Sequence, residues 1–225
     1  MDVSIIIPCF NQAATLERAI ASALRQSGVT EVIVVDDASS DATAEVARIE
    51  RVRDSRVLLC SQEFNRGPGA ARNRGVAQAT GDLIGFLDAD DELMGEFVET
   101  AVQAFMQTPA LIVVKCEMEF FDPIRGYILP EADPRHQAAI LSSACGMLMR
   151  KTHFCTVGGF SEDPIFRGPE GGEDVAFMQV LMKHFQPIAR IEKPGYKVWS
   201  RTSSHLNLFL SKTRLTGEQT FEFNP

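Results

Sequence analysis

The segment Gly85–Leu93 (GFLDADDEL) sets Asp88, Asp90, Asp91 and Glu92 within five positions, directly behind an apolar run. Like charges this close repel, so something must offset the crowding. If the chain stays extended past the apolar run, residues i and i+2 point the same way, and Asp88 and Asp90 converge on one point. Paired carboxylate oxygens suit a hard divalent cation, Mn²⁺ or Mg²⁺. Such an ion would turn repulsion into attraction and draw in phosphate. A second reading starts a helix at Asp88–Glu92, because carboxylates favour helix N-termini. It accounts for one or two of the acids more readily than for four. A calcium loop with Asp88, Asp90, Glu92 and Glu99 at its positions 1, 3, 5 and 12 is rejected. Leu93 stands where that loop needs glycine, and a strand precedes it where a helix should.

Other segments carry chemistry of the same kind. Asp36 and Asp37 follow an apolar run, where a carboxylate can accept from a ribose hydroxyl or a base N–H. An Asx turn built with Ser39, Ser40 and Asp41 is compatible with that role. Asn65–Gly75 (NRGPGAARNRG) is basic and glycine-rich, and Arg72 offers a planar fork to phosphate or base. Gly67-x-Gly69 ahead of a helix, with Asp88 about 20 residues on, also imitates a dinucleotide-binding loop. Arg72 stands at the third glycine position, however, and the loop follows the third strand. Gly171-Gly172-Glu173-Asp174 opens a helix, so its acids are either caps or a general base. His205 is a lone histidine, and Trp199 reads as core.

The elements that must position these residues alternate. Strands are expected at Val3–Ile7, Glu31–Val35, Arg56–Ser61, Leu83–Leu87 and Leu111–Val114. Helices are expected over Thr15–Gln26 with Thr15 as cap, from Asp41 or Thr43, over Gly69–Ala79, over Glu92–Gln107 and over Asp174–His184. This pattern implies an α/β fold: a Rossmann-like, mainly parallel sheet with helices on both faces. In such sheets ligands sit beyond the carboxyl ends of the strands, where the acidic cluster falls. After Cys116 the regularity fades, and Ile188–Pro225 carries no decisive pattern. The expected organisation is therefore one nucleotide-binding half, 1–116, followed by a looser half, 117–225, of the same domain.

Composition bounds the function. The chain has 225 residues, 45% hydrophobic, and a net charge of -8. Acidity argues against a nucleic-acid surface and means that an anionic ligand needs local compensation. The cysteines are five, with no C-x-x-C, and read as reduced apolar residues rather than a zinc site. No leader pattern opens the chain, and its charge-free stretches are shorter than the ~20 residues of a membrane span. The expectation is a cytoplasmic protein, with peripheral membrane contact and oligomeric state left open.

Taken in order, VSIIIPCFN (Val3–Asn11), VVDDASSDAT (Val34–Thr43), NRGPGAARNRG, FLDADD (Phe86–Asp91) and GED (Gly172–Asp174) resemble the inverting family-2 glycosyltransferases. A single Asp-x-Asp is a weak signal, but five motifs in order are specific. The resemblance implies a GT-A fold and a nucleotide-sugar donor, UDP-linked by the family's habit. It implies an acceptor hydroxyl on a carbohydrate or glycoconjugate, as in polysaccharide biosynthesis. Pro8 and Phe10 would line the base pocket, and Asp37, with Asp36 beside it, would bind the nucleoside. Arg72 and Asn73 would help shape the donor site. Asp88 would reach the ribose or sugar and the metal, and Asp90 would bind the metal directly. Asp174 would be the catalytic base, with Glu173 beside it. His205 would complete the metal site, or Arg201 would meet the diphosphate. Two rival functions remain: a nicotinamide-dependent oxidoreductase, and a module that binds nucleotide-sugars without turning them over.

Overall fold

Val3–Cys9 forms strand β1, and all seven of its residues are buried. Alternate side chains of a strand point to opposite faces, so burial along its whole length means that both faces of the sheet are covered here. The computed structural model describes residues 1–123, 126–167, 171–200, 205–217 and 220–224. Parallel strands β2 (Val29–Asp36), β3 (Val57–Ser61) and β4 (Leu83–Phe86) join β1 in the order β3-β2-β1-β4. Helices α1 (Leu16–Leu24), α2 (Thr43–Arg53) and α3 (Pro68–Gln78) make the crossovers. Leu16, Ala19, Ile20 and Ala23 are the buried apolar residues of α1. Thr15 does not cap that helix with its side chain; its hydroxyl bonds within the preceding turn, to Gln12.

The sheet does not stop at β4, and its later pairings are mixed. Strand β5 (Glu92–Leu93) and helix α4 (Phe97–Gln107) follow, then β6 (Val113–Asp122) and the short β7 (Gly126–Tyr127). Helix α5 (Pro134–Ser142) leads to β8 (Met147–Arg150), which inserts antiparallel between β4 and β6. After α6 (Lys151–Val157) and α7 (Glu173–His184), β9 (Ile188–Trp199) runs parallel to β6 and takes β5 as its antiparallel outer neighbour. Helix α8 (His205–Lys212) and a separate hairpin, β10 (Thr213–Gly217) with β11 (Thr220–Phe223), close the chain. The sheet is continuous through residue 116, which lies inside β6. Among the described residues no helix is long and apolar enough to cross a membrane.

One expected element is corrected. Glu92–Gln107 is not a single helix. Glu92 and Leu93 pair with Lys197 and Tyr196, Gly95 takes φ +54°, and the helix starts only at Phe97. Pairing with a distant strand overrides local helix preference, and the left-handed glycine turns the chain between the two elements. Asp88–Glu92 is therefore not a helix N-terminus.

Candidate active site

The carboxyl ends of β1, β2 and β4, with the start of α7 and the end of β9, surround a cavity of about 860 Å³. Pro8, Phe10, Asp37, Arg72, Asp88, Asp90 and Asp174 all line it.

The four acids of the 88–92 turn go to four different places. Asp88 Oδ1 accepts from Arg72 Nη2 at 2.9 Å. Asp91 turns inward and is buried; it accepts from the Tyr196 hydroxyl at 3.0 Å and from the Trp199 N–H at 2.8 Å. Burial, with Asp90 and Asp88 nearby, pushes its carboxyl well above the usual aspartate range. Tyr196 in turn accepts the backbone N–H of Asp88 at 3.0 Å, which ties both ends of the turn to one phenol. Glu92 accepts the Trp199 indole N–H at 2.8 Å and faces Arg18 and Arg25. Asp90 presents itself to the cavity. Asp91 and Glu92 thus brace the turn against β9, while Asp88 and Asp90 both line the cavity.

Arg72 sits in the first turns of α3 and is buried. Its Nη1 donates to Glu173 Oε1 at 2.7 Å, so one guanidinium joins the β4 turn to the start of α7. Burial opposes its charge, but Asp88, Cys145 and Glu173 raise its pKa well above the usual arginine value. Gly172 takes φ +107° ahead of α7, a backbone state that favours glycine, and this swings Glu173 inward and leaves Asp174 half-buried at the cavity wall. Burial lifts the Asp174 carboxyl above its ordinary value. Arg72 pulls it back, and Glu173 and Asp88 add to the rise. A carboxylate with a raised pKa at a cavity wall is suited to take a proton.

Asp37 accepts from the Arg66 and Gly67 N–H groups and from Gln62 Nε2, each at 2.8 Å. A carboxylate has about four acceptor positions, so one is left for a ligand on the cavity side. Asp36 is buried, accepts the Ser39 N–H three residues on at 3.1 Å, and does not line the cavity; the Asx turn is made by Asp41, which accepts the Thr43 N–H at 2.9 Å. Asn73 does not line it either. Its amide bonds Phe160 N–H and C=O at 2.9 Å each, and it braces the loop behind the site instead. His205 begins α8, and its side chain, like Arg201, lies outside the described residues.

Gly69 does not serve as a pyrophosphate loop. A Cβ there would lie 2.7 Å from the Ser161 carbonyl, so this glycine lets α3 approach protein. Trp199 is also corrected: it is half-buried and lines the cavity rather than the core. Lys115 was not singled out in the sequence. It is buried and donates to the carbonyls of Ser143 at 2.8 Å and Cys145 at 2.7 Å, fixing a loop of the cavity wall. A lone lysine in an apolar strand was its only signal.

Among the described residues, no three His, Cys, Asp or Glu side chains form a closed ion cage. Asp88 and Asp90 supply two carboxylates at one cavity wall, which suits a cation that completes its shell with water and substrate phosphate.

Residues 4–160 match the protein family described as Glycosyl transferase family 2. Succinoglycan biosynthesis protein ExoO of Rhizobium meliloti is 43% identical over 114 residues, 50% of this chain and 32% of that protein. The GalNAc(5)-diNAcBac-PP-undecaprenol beta-1,3-glucosyltransferase of Campylobacter jejuni is 36% identical over 119 residues, 52% of this chain and 38% of its own. The chain thus spans about a third of the length of these relatives. Residues 1–349 of S. aureus TarS, solved with UDP, superpose with a TM-score of 0.72 and 22% identity over 90% of this chain and 61% of that one. The TarS complex with UDP-GlcNAc gives 0.73 and 24% over 92% and 61%. At that identity the likeness establishes the fold.

Proposed function

The chain belongs to glycosyl transferase family 2, with the GT-A fold, and from that premise we propose that it moves a sugar from a UDP-sugar to an acceptor hydroxyl with inversion. The observation that carries this reading is the convergence of Asp37, Arg72, Asp88, Asp90 and Asp174, from distant parts of the chain, on one cavity. TarS complexes with UDP and UDP-GlcNAc support the donor class, and the C. jejuni relative's name supports a glycoconjugate acceptor.

In this reading the donor lies along the sheet end. Pro8 and Phe10 flank the base, and the remaining acceptor position of Asp37 takes a nucleoside N–H or O–H. Asp88 and Asp90 would hold Mn²⁺ or Mg²⁺, which supplies charge stabilisation to the departing diphosphate when bound. Arg72 keeps Asp88 oriented and holds α7 against the donor side. Asp174 accepts the proton of the acceptor hydroxyl as its oxygen attacks the anomeric carbon, and the bond to the diphosphate breaks on the opposite side. A single displacement of this kind inverts the anomeric centre. Residues 1–116 form the donor half and 117–225 bring the base and the acceptor side. The proposed place of action is the cytoplasm, with peripheral membrane contact where the acceptor is lipid-linked.

Release of nucleoside diphosphate from a panel of nucleotide-sugars, with Mn²⁺ or Mg²⁺ and candidate acceptors, tests the reading. UDP-sugar turnover that depends on Asp174 is expected. Binding without any turnover would favour a non-catalytic module.

A further inference from the structure

The segment carrying Asp90 is fixed from one side of α1. Arg18, Ser22 and Gln26 stand four residues apart and so share one face of that helix and its continuation. Arg18 Nη2 donates to the Asp90 carbonyl oxygen. Ser22 Oγ accepts the Leu93 N–H at 3.0 Å. Gln26 donates to the Gly95 carbonyl at 3.0 Å and accepts the Val98 N–H at 3.2 Å. Ser22 and Gln26 are buried, so a slip of α1 by one residue would leave several polar groups without partners inside the protein. The row sets the register between α1 and residues 90–98.

Its Arg18 end differs from the rest, because it grips the main chain of a residue that lines the cavity. The guanidinium is itself held. Its carbon lies 4.4 Å from the centroid of the Trp199 ring, and Nε is 3.4 Å from Glu92 Oε1, the oxygen that accepts the Trp199 indole N–H. A planar fork can stack on the indole and still donate to the carbonyl, which an ammonium does less well.

We propose that Arg18 is a positioning residue for donor binding, holding the Asp90 backbone where its carboxylate meets the diphosphate end of the donor and its cation. This rests on the functional reading above. Calorimetric titration of the full chain with UDP in Mn²⁺ tests it, with melts of the unliganded protein to follow the fold. Arg18→Gln is expected to weaken UDP binding about tenfold or more, the usual effect of losing a group that orients a ligand to a metal. Arg18→Lys, which keeps a donor within reach of the carbonyl, recovers part of that loss. Ser22→Ala lowers Tm and leaves the Kd unchanged. If Arg18→Gln binds UDP as the wild type does, while Asp90→Ala has lost binding, the positioning role is overturned and the functional reading stands. Equal weakening in Arg18→Gln and Ser22→Ala also overturns it, since Arg18 would then serve only the fold. A wild-type chain that binds no UDP with either cation overturns the functional reading itself, and the proposal with it. Should Arg18→Gln not fold, Glu92→Gln, which removes the anion beside the Arg18 guanidinium and does not itself line the cavity, carries the same expectation and the same overturning result.

Discussion

Arg72 and Glu173 are 101 residues apart in the chain, yet they form a 2.7 Å ion pair with both side chains almost wholly buried. The same guanidinium holds Asp88 at 2.9 Å. Removing Arg72 leaves the Glu173 charge buried and uncompensated, a change that costs about 3–5 kcal/mol. Arg72→Met should lower stability by that order in urea denaturation, and Glu173→Met, which leaves Arg72 its Asp88 partner, by less. The double variant, which buries no orphan charge at this pair, should be less damaged than the sum of the two. Strict additivity in that cycle would mean that the pair is not coupled.

As the proposed base, Asp174 should couple activity to stability with opposite signs. Its carboxyl is raised in the folded chain, chiefly by burial. The folded state therefore keeps the proton at a pH where the unfolded state has lost it. Its contribution to stability is highest in acid and declines as pH rises through the interval from the ordinary aspartate value up to the raised one. Asp174→Asn removes a half-buried charge, so at neutral pH its Tm should equal or exceed that of the wild type. Transfer should fall by roughly 10²–10⁴, the usual contribution of a general base. The acid limb of kcat/KM should lie above the ordinary aspartate range. A variant that melts early and also loses activity would mark Asp174 as a structural cap.

The sheet-end wall of the cavity was legible in the sequence because its residues follow apolar runs that break into Asp36-Asp37 or Asp88-x-Asp90. Strand ends and parallel crossovers are local facts, and residue types report them. The rest depends on long-range pairing. Leu93 joins a strand because Tyr196 lies opposite, and β8 enters the sheet between β4 and β6. Nothing near Asp91 indicates that it turns inward to Tyr196, 105 residues away, while Asp90 keeps to the cavity. Asn73 is turned away from the cavity for the same reason: its partners are in the Phe160 loop.

Cation dependence should appear as linkage. UDP at about 100 times its Kd stabilises a folded protein by about 2.7 kcal/mol. A rise in Tm with UDP is expected in Mn²⁺ or Mg²⁺, and it should vanish in EDTA and in Asp90→Ala. Equal stabilisation by UDP with and without the cation would remove Asp88 and Asp90 from the metal role and leave them to the sugar or ribose. The unliganded Asp90→Ala melt separates loss of binding from loss of fold.

Lys115 gives an alkaline signature of the loop it holds. Burial lowers its pKa from 10.5 to about 8, against the pull of neighbouring groups. Between about 8 and 10.5 the unfolded chain still binds this proton while the folded chain has released it. Stability therefore gains from Lys115 as pH rises across that window, by on the order of 3 kcal/mol in total. Lys115→Met should lose that alkaline gain, which comparison of the two urea curves across the window would read directly. The variant also strips the donors from the Ser143 and Cys145 carbonyls. Those residues line the cavity on the proposed acceptor side, so the KM for acceptor should rise more than the KM for donor. Parallel pH profiles for the two proteins would place the titrating charge elsewhere, and an unchanged acceptor KM would detach this loop from the acceptor.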